Sequence, residues 1–189
     1  MSKNLFSIKN FTVIALSAIS FSFMFLLIPI LTHAYSYAGI KWSGTSVGVD
    51  VSDASWPSSW ISPLASGMSA WNGASSPFTF NSNASGHKFT RSNMGTGALA
   101  ITTTTYSGST VTDSDTNFNL YYSWSTSGDG CCYDVQNVAT HELGHWLVLN
   151  DLYGGGDTEK TMYYSASVGE TKKRTLDTDD INGINYIYP

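Results

Sequence analysis

The chain has 189 residues, of which 42% are hydrophobic and 12% are charged, so it can bury one ordinary hydrophobic core and is not expected to be disordered throughout. Its formal net charge is −5, and no run of lysine and arginine is interleaved with aromatic residues. This charge distribution argues against a nucleic-acid partner, because phosphate binding needs a basic surface.

Two lysines precede an uncharged apolar run at 11–31, and small residues follow it up to Ala34, with a second small-residue pattern ending at Ala38. A basic start, an apolar run and a small-residue cleavage site are typical of a secretory signal peptide. The run is longer than a usual signal-peptide core of about 15 residues and approaches the roughly 20 residues that span a bilayer. We therefore expect residues 1–34 to be a signal peptide or an uncleaved N-terminal membrane anchor. Residues 35–189 are then one domain, either secreted or anchored to the outer side of the membrane.

Strands around one helix are predicted for the first part of this domain. The stretch 46–51 alternates valine with small or polar residues, which is the period of a half-buried strand. Large apolar residues then recur at helical spacing and predict a helix from about Trp60 to Asn72. Three stretches rich in β-branched or aromatic residues follow, with Gly-, Ser-, Asn- and Asp-rich loops between them, and predict strands at 78–80, 98–106 and 117–124.

The apolar pattern becomes helical again in CCYDVQNVATHELGHWLVL, where Asp134 is the predicted N-cap. The last segment, LDTDDINGINYIYP, opens with an acidic first turn and places Ile181, Ile184 and Tyr188 on one face. Strands followed by two helices predict an α+β fold.

The two cysteines, Cys131 and Cys132, are adjacent, so they cannot link distant parts of the fold to each other. A vicinal disulfide, a bond to another molecule and two free thiols are the alternatives.

The second predicted helix contains the pattern HExxH. His141 and His145 are four residues apart, so both imidazoles project from one helix face and can take adjacent corners of a zinc tetrahedron. Glu142 can reach a zinc-bound water without binding the metal, and can act there as general base. In a chain this poor in His and Glu, the pattern arises by chance on the order of one time in a thousand. A metal site is therefore a better interpretation than two surface histidines.

A catalytic zinc site needs another ligand, and Asp151 is the nearest carboxylate after the motif. If the helix continued unbroken, Asp151 would lie ~9 Å beyond His145 along the axis and could not reach the metal. The chain must therefore turn sharply after about Leu147. Two histidines with one carboxylate and an open fourth position are an established catalytic set. Asp157 is the alternative donor, whereas His33 and His87, in the N-terminal segment and a polar loop, are less convincing.

These motifs resemble those of the metzincin zinc peptidases. HELGHWLVLND is similar to the signature HExxHxxGxxH, with Asp151 at the third-ligand position as in snapalysin-type members. KTMYYS resembles the Met-turn, with Met162 as its methionine, and LDTDDINGINYIYP resembles the C-terminal helix of the matrixins. GTGALAITTTTY resembles the matrixin edge strand that binds substrate, and WISPLASGMSAW the first long helix. The likeness spans most of residues 39–189.

The resemblance implies a metzincin-like α+β fold, with a twisted, mostly parallel sheet, an antiparallel edge strand, a first long helix, an active-site helix and a C-terminal helix. It also implies an endopeptidase with one catalytic Zn²⁺, which hydrolyses peptide bonds through a zinc-bound water with Glu142 as general base. Met162 is then a hydrophobic floor beneath the site. Tyr164 is a candidate transition-state stabiliser, with a packed aromatic as the alternative. Protein or peptide substrates would lie along the edge strand, at Ala98, Leu99, Ala100 and Ile101.

The sequence departs from the matrixin pattern at two positions. Val148 occupies the glycine position of the signature, where a β-branched residue with positive φ is an outlier, so we expect the turn to be built differently or to come later. Ile101 stands where many matrixins place a histidine for a structural zinc, so we expect no second zinc. Calcium is a further candidate ion, since oxygen donors occur in three acidic groups, at Asp113 and Asp115, at Asp129 and Asp134, and at 177–180.

A domain that has lost activity and serves as a binding or adhesion module is the alternative function. Val148 and the missing third histidine motivate this alternative. The intact Glu142 argues against it, because a pure binding site has no need of a general base.

Overall fold

The computed structural model describes residues 35–52, 56–83 and 86–189. The segment 1–34, and with it the predicted signal peptide or membrane tether at 11–31, lies outside these residues. In the part that is described, no helix is both long and apolar enough to cross a membrane.

In the described residues, eight strands and three helices build the fold. The strands are β1 (Lys41–Trp42), β2 (Ser46–Val49), β3 (Thr79–Ser82), β4 (Phe89–Ser92), β5 (Ala100–Ser107), β6 (Thr110–Asn119), β7 (Trp124–Ser125) and β8 (Tyr133–Asp134). The helices are α1 (Ser58–Asn72), α2 (Val135–Trp146) and α3 (Thr178–Ile187), with a short 3₁₀ helix at Lys172–Arg174.

The sheet is organised around β6, the longest strand. One edge of β6 pairs in parallel with β1 and with β4, and the other edge pairs with β5 in antiparallel register from Ala100↔Phe118 to Ser107↔Thr110. β2 and β3 form a parallel pair, and an isolated parallel bridge between Asp50 and Lys88 links that pair to β4. Among the described residues β5 pairs with no other strand, so its outer edge is free. The predicted α+β fold, mostly parallel with an antiparallel edge strand, is confirmed.

Helix α2 is held between α1 and the sheet by main-chain and indole contacts. The Trp71 indole on α1 donates to the carbonyl of Thr140 at 2.8 Å. Gly67 permits this close approach, because a Cβ there would lie 3.2 Å from the Thr140 nitrogen. On the sheet side, the Trp146 indole donates to the Thr116 hydroxyl of β6 at 2.8 Å. These buried bonds fix the position of α2 and of the residues that it carries.

The predicted helices agree closely with the structure. Helix α1 extends over the predicted segment and begins slightly earlier, at Ser58. Asp134 is the N-cap of α2, since its carboxylate accepts a hydrogen bond from Asn137 N at 2.9 Å. Arg174 also contacts this carboxylate, at 2.6 Å, so the helix start is tied to the 3₁₀ helix. Of the three alternatives for the cysteines, the structure has the vicinal disulfide between Cys131 and Cys132.

The strand predicted at 117–124 is wrong in its bounds. β6 begins at Thr110 and ends at Asn119, and the chain turns immediately afterwards. Ser114 and Thr116 face inward from β6 and are fully buried. Because these buried positions are polar, the strand lacks a clear alternation of apolar and polar residues. The Asn119 side chain then bonds to Met94 N and other main-chain groups and stops the strand.

The turn after α2 also differs from the expectation. Val148 itself adopts the left-handed conformation, with φ of 59°, at the position where the signature has glycine. The turn is closed by hydrogen bonds from Val148 N to the carbonyl of His145 at 2.9 Å and from Leu149 N to that of Gly144 at 3.0 Å. Ala38 N also donates to the Val148 carbonyl at 3.0 Å. These bonds, and burial of the valine side chain, offset the backbone strain.

This strain should show in a pair of variants at the turn. Val148→Gly and Val148→Ala both remove the buried side chain, but only glycine relieves the positive φ. We expect Val148→Gly to be more stable than Val148→Ala by about 1 kcal/mol, the reverse of the order in a helix interior. Denaturant unfolding of the metal-free protein measures the difference. An alanine variant as stable as the glycine variant would contradict the left-handed turn.

Candidate active site

A cleft of about 500 Å³ runs between β5, α2 and the segment after Met162. Helix α2 contributes His141, Glu142 and His145 to its floor, and the turn at Val148 returns the chain so that Asp151 lies on the same floor. The four residues that carry the predicted zinc chemistry therefore face one cavity.

The two imidazoles are oriented by main-chain carbonyls. His141 Nδ1 lies 2.7 Å from the carbonyl oxygen of Thr161, and His145 Nδ1 lies 2.8 Å from that of Leu149. Because a carbonyl only accepts hydrogen bonds, each ring carries its proton on Nδ1. Each Nε2 then presents a lone pair to the cleft, which is the form in which histidine binds a metal.

Asp151 completes the group. Its Oδ1 lies 3.2 Å from His141 Nε2 and 3.6 Å from His145 Nε2, and the three ligand atoms lie within 4.8 Å of one another. Burial raises the pKa of Asp151, but a hydrogen bond from His141 and the positive charge of both histidines, when these rings are also protonated on Nε2, outweigh this effect and leave its pKa below the ordinary value. The carboxylate is therefore ionised at neutral pH.

This arrangement fits a divalent cation. With both rings in the neutral form protonated on Nδ1, the buried Asp151 Oδ1 accepts no hydrogen bond from the described residues, and two imidazole lone pairs face it. Three converging acceptors with no donor between them are unfavourable unless a positive charge lies among them. A tetrahedral zinc with bonds of about 2.1 Å separates its ligand atoms by about 3.4 Å, close to the two observed distances. His, His and carboxylate are also ligand types that zinc prefers.

Glu142 is held at the side of this group by a chain of hydrogen bonds. Its Oε2 accepts from the Thr102 hydroxyl of β5 at 2.7 Å, and Thr102 Oγ1 lies 2.6 Å from Thr116 Oγ1. Thr116 in turn accepts from the Trp146 indole. Because a carboxylate only accepts, the direction of donation along the chain is fixed. The Trp146 indole donates to Thr116, Thr116 donates to Thr102, and Thr102 donates to Glu142. Among the described residues, no side chain or main-chain group donates to the second carboxylate oxygen, Oε1.

Met162 lies directly beneath α2, with its side chain buried. A Cβ at position 144 would meet its sulfur at 2.1 Å, so Gly144 leaves the space that Met162 occupies. The main chain of this turn is held from α3, because the Asp180 carboxylate accepts from Thr161 N at 3.0 Å and from Met162 N at 3.3 Å. The same Thr161 orients His141 through its carbonyl.

The remaining predicted residues lie around the same cleft. Ala98, Leu99, Ala100 and Ile101 all line it along the start of β5. Tyr164 lines it as well, is half exposed, and stacks on Tyr153 at 5.0 Å between ring centroids. Its position suits both alternatives, transition-state stabiliser and packed aromatic.

Several other candidates are engaged elsewhere. His87 contacts Asp113 at 2.6 Å, and Asp157 contacts Lys160 at 2.7 Å and accepts from Gly154 N at 3.0 Å. In the described residues, the only group of three or more His, Cys, Asp or Glu side chains with metal-binding spacing is that of His141, His145 and Asp151. Most carboxylates considered for calcium have protein partners, such as Arg174 for Asp134, and calcium stays a prediction.

Two residues of the cleft were missed by sequence reasoning. Thr102 falls in a run of four threonines, and nothing in that run distinguishes the one that reaches Glu142. Lys173 is one of two adjacent lysines, a pattern that predicts solvent-exposed side chains. Its side chain is nevertheless buried and lines the cleft. Only the three-dimensional contacts separate these residues from their neighbours.

Comparison with known proteins agrees with this geometry. The matrixin family model matches residues 69–189, from the last turn of α1 through α3. Metalloendoproteinase 2-MMP of Arabidopsis thaliana is similar, at 33% identity over 73 residues, which is 35% of this chain and 18% of that protein. The matched segment thus covers less than a fifth of that relative. Because the family match spans most of the chain and includes all the motifs of the cleft, the chain belongs to the matrixin family.

Proposed function

We propose that this protein is a zinc-dependent endopeptidase, secreted or tethered to the outer surface of a membrane, that hydrolyses peptide bonds of protein or peptide substrates. One observation carries the proposal. Two imidazole nitrogens and the Asp151 carboxylate converge beside Glu142, at the floor of a cleft bordered by the free edge of β5. The N-terminal apolar run motivates the location outside the cytoplasm.

His141, His145 and Asp151 would hold Zn²⁺, which, when bound, acidifies water and polarises a carbonyl as a Lewis acid. Glu142 accepts a proton from the attacking water and then delivers it to the leaving amine. The Thr102 hydroxyl fixes Oε2 of Glu142, which leaves Oε1 to exchange the proton. Thr102 is therefore a positioning residue for the general base.

The free edge of β5 would bind the substrate main chain. An extended peptide can add to it as an antiparallel strand, with main-chain hydrogen bonds that do not depend on sequence. This binding places one peptide bond beside Glu142, because Thr102 of the same strand contacts that carboxylate.

Metal analysis and hydrolysis assays test the proposal together. We expect about one zinc per chain, since the cleft offers three protein ligands and an open position. Casein or gelatin should be cleaved, and o-phenanthroline or a hydroxamate should abolish the cleavage. Added zinc should restore activity after the chelator is removed. Zinc binding without hydrolysis of any protein would instead favour the binding or adhesion module.

A further inference from the structure

A buried lysine lies in the wall of the cleft. Lys173, in the short 3₁₀ helix, has 2% of its surface exposed, and its ammonium donates to the carbonyl of Tyr163. In the described part of the chain, no carboxylate oxygen lies within 4.0 Å of this ammonium, whereas the neighbouring Lys172 pairs with Glu159 at 3.1 Å. A buried cation without an ion-pair partner is costly, and a function is one reason to keep it.

The surrounding charges do not neutralise Lys173 by direct contact. Glu170 exerts the strongest attraction, but its Oε1 accepts from Asn137 Nδ2 at 3.5 Å and its Oε2 from Ser167 N at 3.3 Å. Asp151 and Glu142 attract Lys173 from the metal side, and Lys172 repels it. Burial is the main influence and lowers the pKa of Lys173 to about 8, so its side chain is still mostly protonated at neutral pH.

Lys173 lies by the beginning of α2, on one side of the group formed by His141, His145 and Asp151. Its main-chain nitrogen donates to Asn137 Oδ1 at 2.8 Å, and Asn137 precedes His141 by one helical turn. This beginning of α2 lies near the beginning of β5. Tyr122 contacts Tyr133, two residues before α2, edge to face, and its hydroxyl donates to the carbonyl of Gly97, three residues before β5, at 2.7 Å. A peptide antiparallel to β5 therefore passes Glu142 and then runs its carboxyl-terminal part toward Lys173.

We propose that Lys173 makes this enzyme select an acidic side chain, Asp or Glu, immediately after the scissile bond. The inference rests on the proposed endopeptidase function and names its substrate class. The ammonium has donors left over beyond the one used on Tyr163, and a carboxylate entering from the substrate would satisfy them with a charge-assisted hydrogen bond. Leu99, Val138 and Ala166 also line the cleft and offer apolar surface to the stem of that side chain.

A peptide library digested by the zinc-loaded protein, with cleavage sites read by mass spectrometry, tests the selection. We expect Asp and Glu to be enriched at the first position after the cut. In matched peptides, kcat/KM with Glu at that position should exceed that with the isosteric Gln by about tenfold or more. Lys173→Met should remove the preference, whereas Lys172→Met should leave it unchanged, because Lys172 pairs with Glu159 and is not part of the cleft.

Each outcome is decisive. If the parent protein cleaves the library but treats Glu and Gln alike, the role of Lys173 is overturned while the peptidase function stands, and this holds even should Lys173→Met fail to fold. A preference that persists in a folded Lys173→Met variant, as judged by circular dichroism, also overturns it. If the parent cleaves no peptide at all, the proposed function fails, and the selectivity with it.

Discussion

Glu142→Gln is expected to retain zinc and to lose about 10³-fold in kcat/KM on a peptide or casein substrate, the scale of general acid–base catalysis. Glutamine keeps the size of the side chain and can still accept a hydrogen bond from Thr102, but it cannot take up a proton. Because Glu142 is not among the three converging ligand atoms, its replacement should leave the metal group in place. Zinc content by elemental analysis and initial rates on one substrate measure the two effects separately.

Glu159→Gln is the matched control for this variant. Glu159 is mostly exposed and pairs with Lys172, away from the cleft. Glu159→Gln removes the same negative charge at a position that does not contact the candidate site. We therefore expect this variant to cleave substrate at the parent rate. Casein cleavage by Glu142→Gln at the parent rate would show that another group handles the proton. Loss of zinc from this variant would show that Glu142 supports the metal rather than the reaction.

Asp151→Ala is expected to weaken zinc binding and to abolish hydrolysis with it. Protein zinc sites with four ligands bind with roughly 10–16 kcal/mol, so one ligand contributes roughly 3–4 kcal/mol, or about 10²–10³-fold in affinity. Without the carboxylate, two neutral imidazoles remain to hold the cation. Competition against a chromogenic zinc chelator at fixed pH gives the change in affinity.

The control for this second variant is Asp157→Ala, in the same glycine-rich loop. Its carboxylate contacts Lys160 and Gly154 N and does not face the histidines. We expect this variant to bind zinc as tightly as the parent. The opposite result, with Asp157→Ala losing zinc and Asp151→Ala keeping it, would assign the third ligand to Asp157 and refute the convergence of Asp151 on the histidines.

The parts of the fold that sequence predicts well are those with a strong local signal. Helix α1 repeats large apolar residues at helical spacing, and α2 has a side-chain cap at Asp134. β6 was misplaced because Ser114 and Thr116 occupy buried positions, where their hydroxyls bond to other side chains instead of packing as hydrocarbons. Alternation of apolar and polar residues cannot reveal such a strand.

For the candidate site too, sequence predicts the features that depend on local spacing and misses those that depend on distant contacts. The metal-ligand candidates on α2 follow from spacing within one helix, which local geometry fixes. The conformation of Val148 does not, because intrinsic preference there is overridden by hydrogen bonds to Ala38 and His145. Thr102 and Lys173 contact α2 residues that are distant in sequence, at Glu142 and Asn137. No short pattern encodes contacts of this kind.

The Asp180 carboxylate links α3 to the candidate metal site. It caps α3 by accepting from Asp177 N at 2.9 Å, and it also holds Thr161, whose carbonyl fixes the ring of His141. Proteolytic trimming from the C-terminus past this aspartate would leave HELGH untouched and still release the imidazole from its orientation.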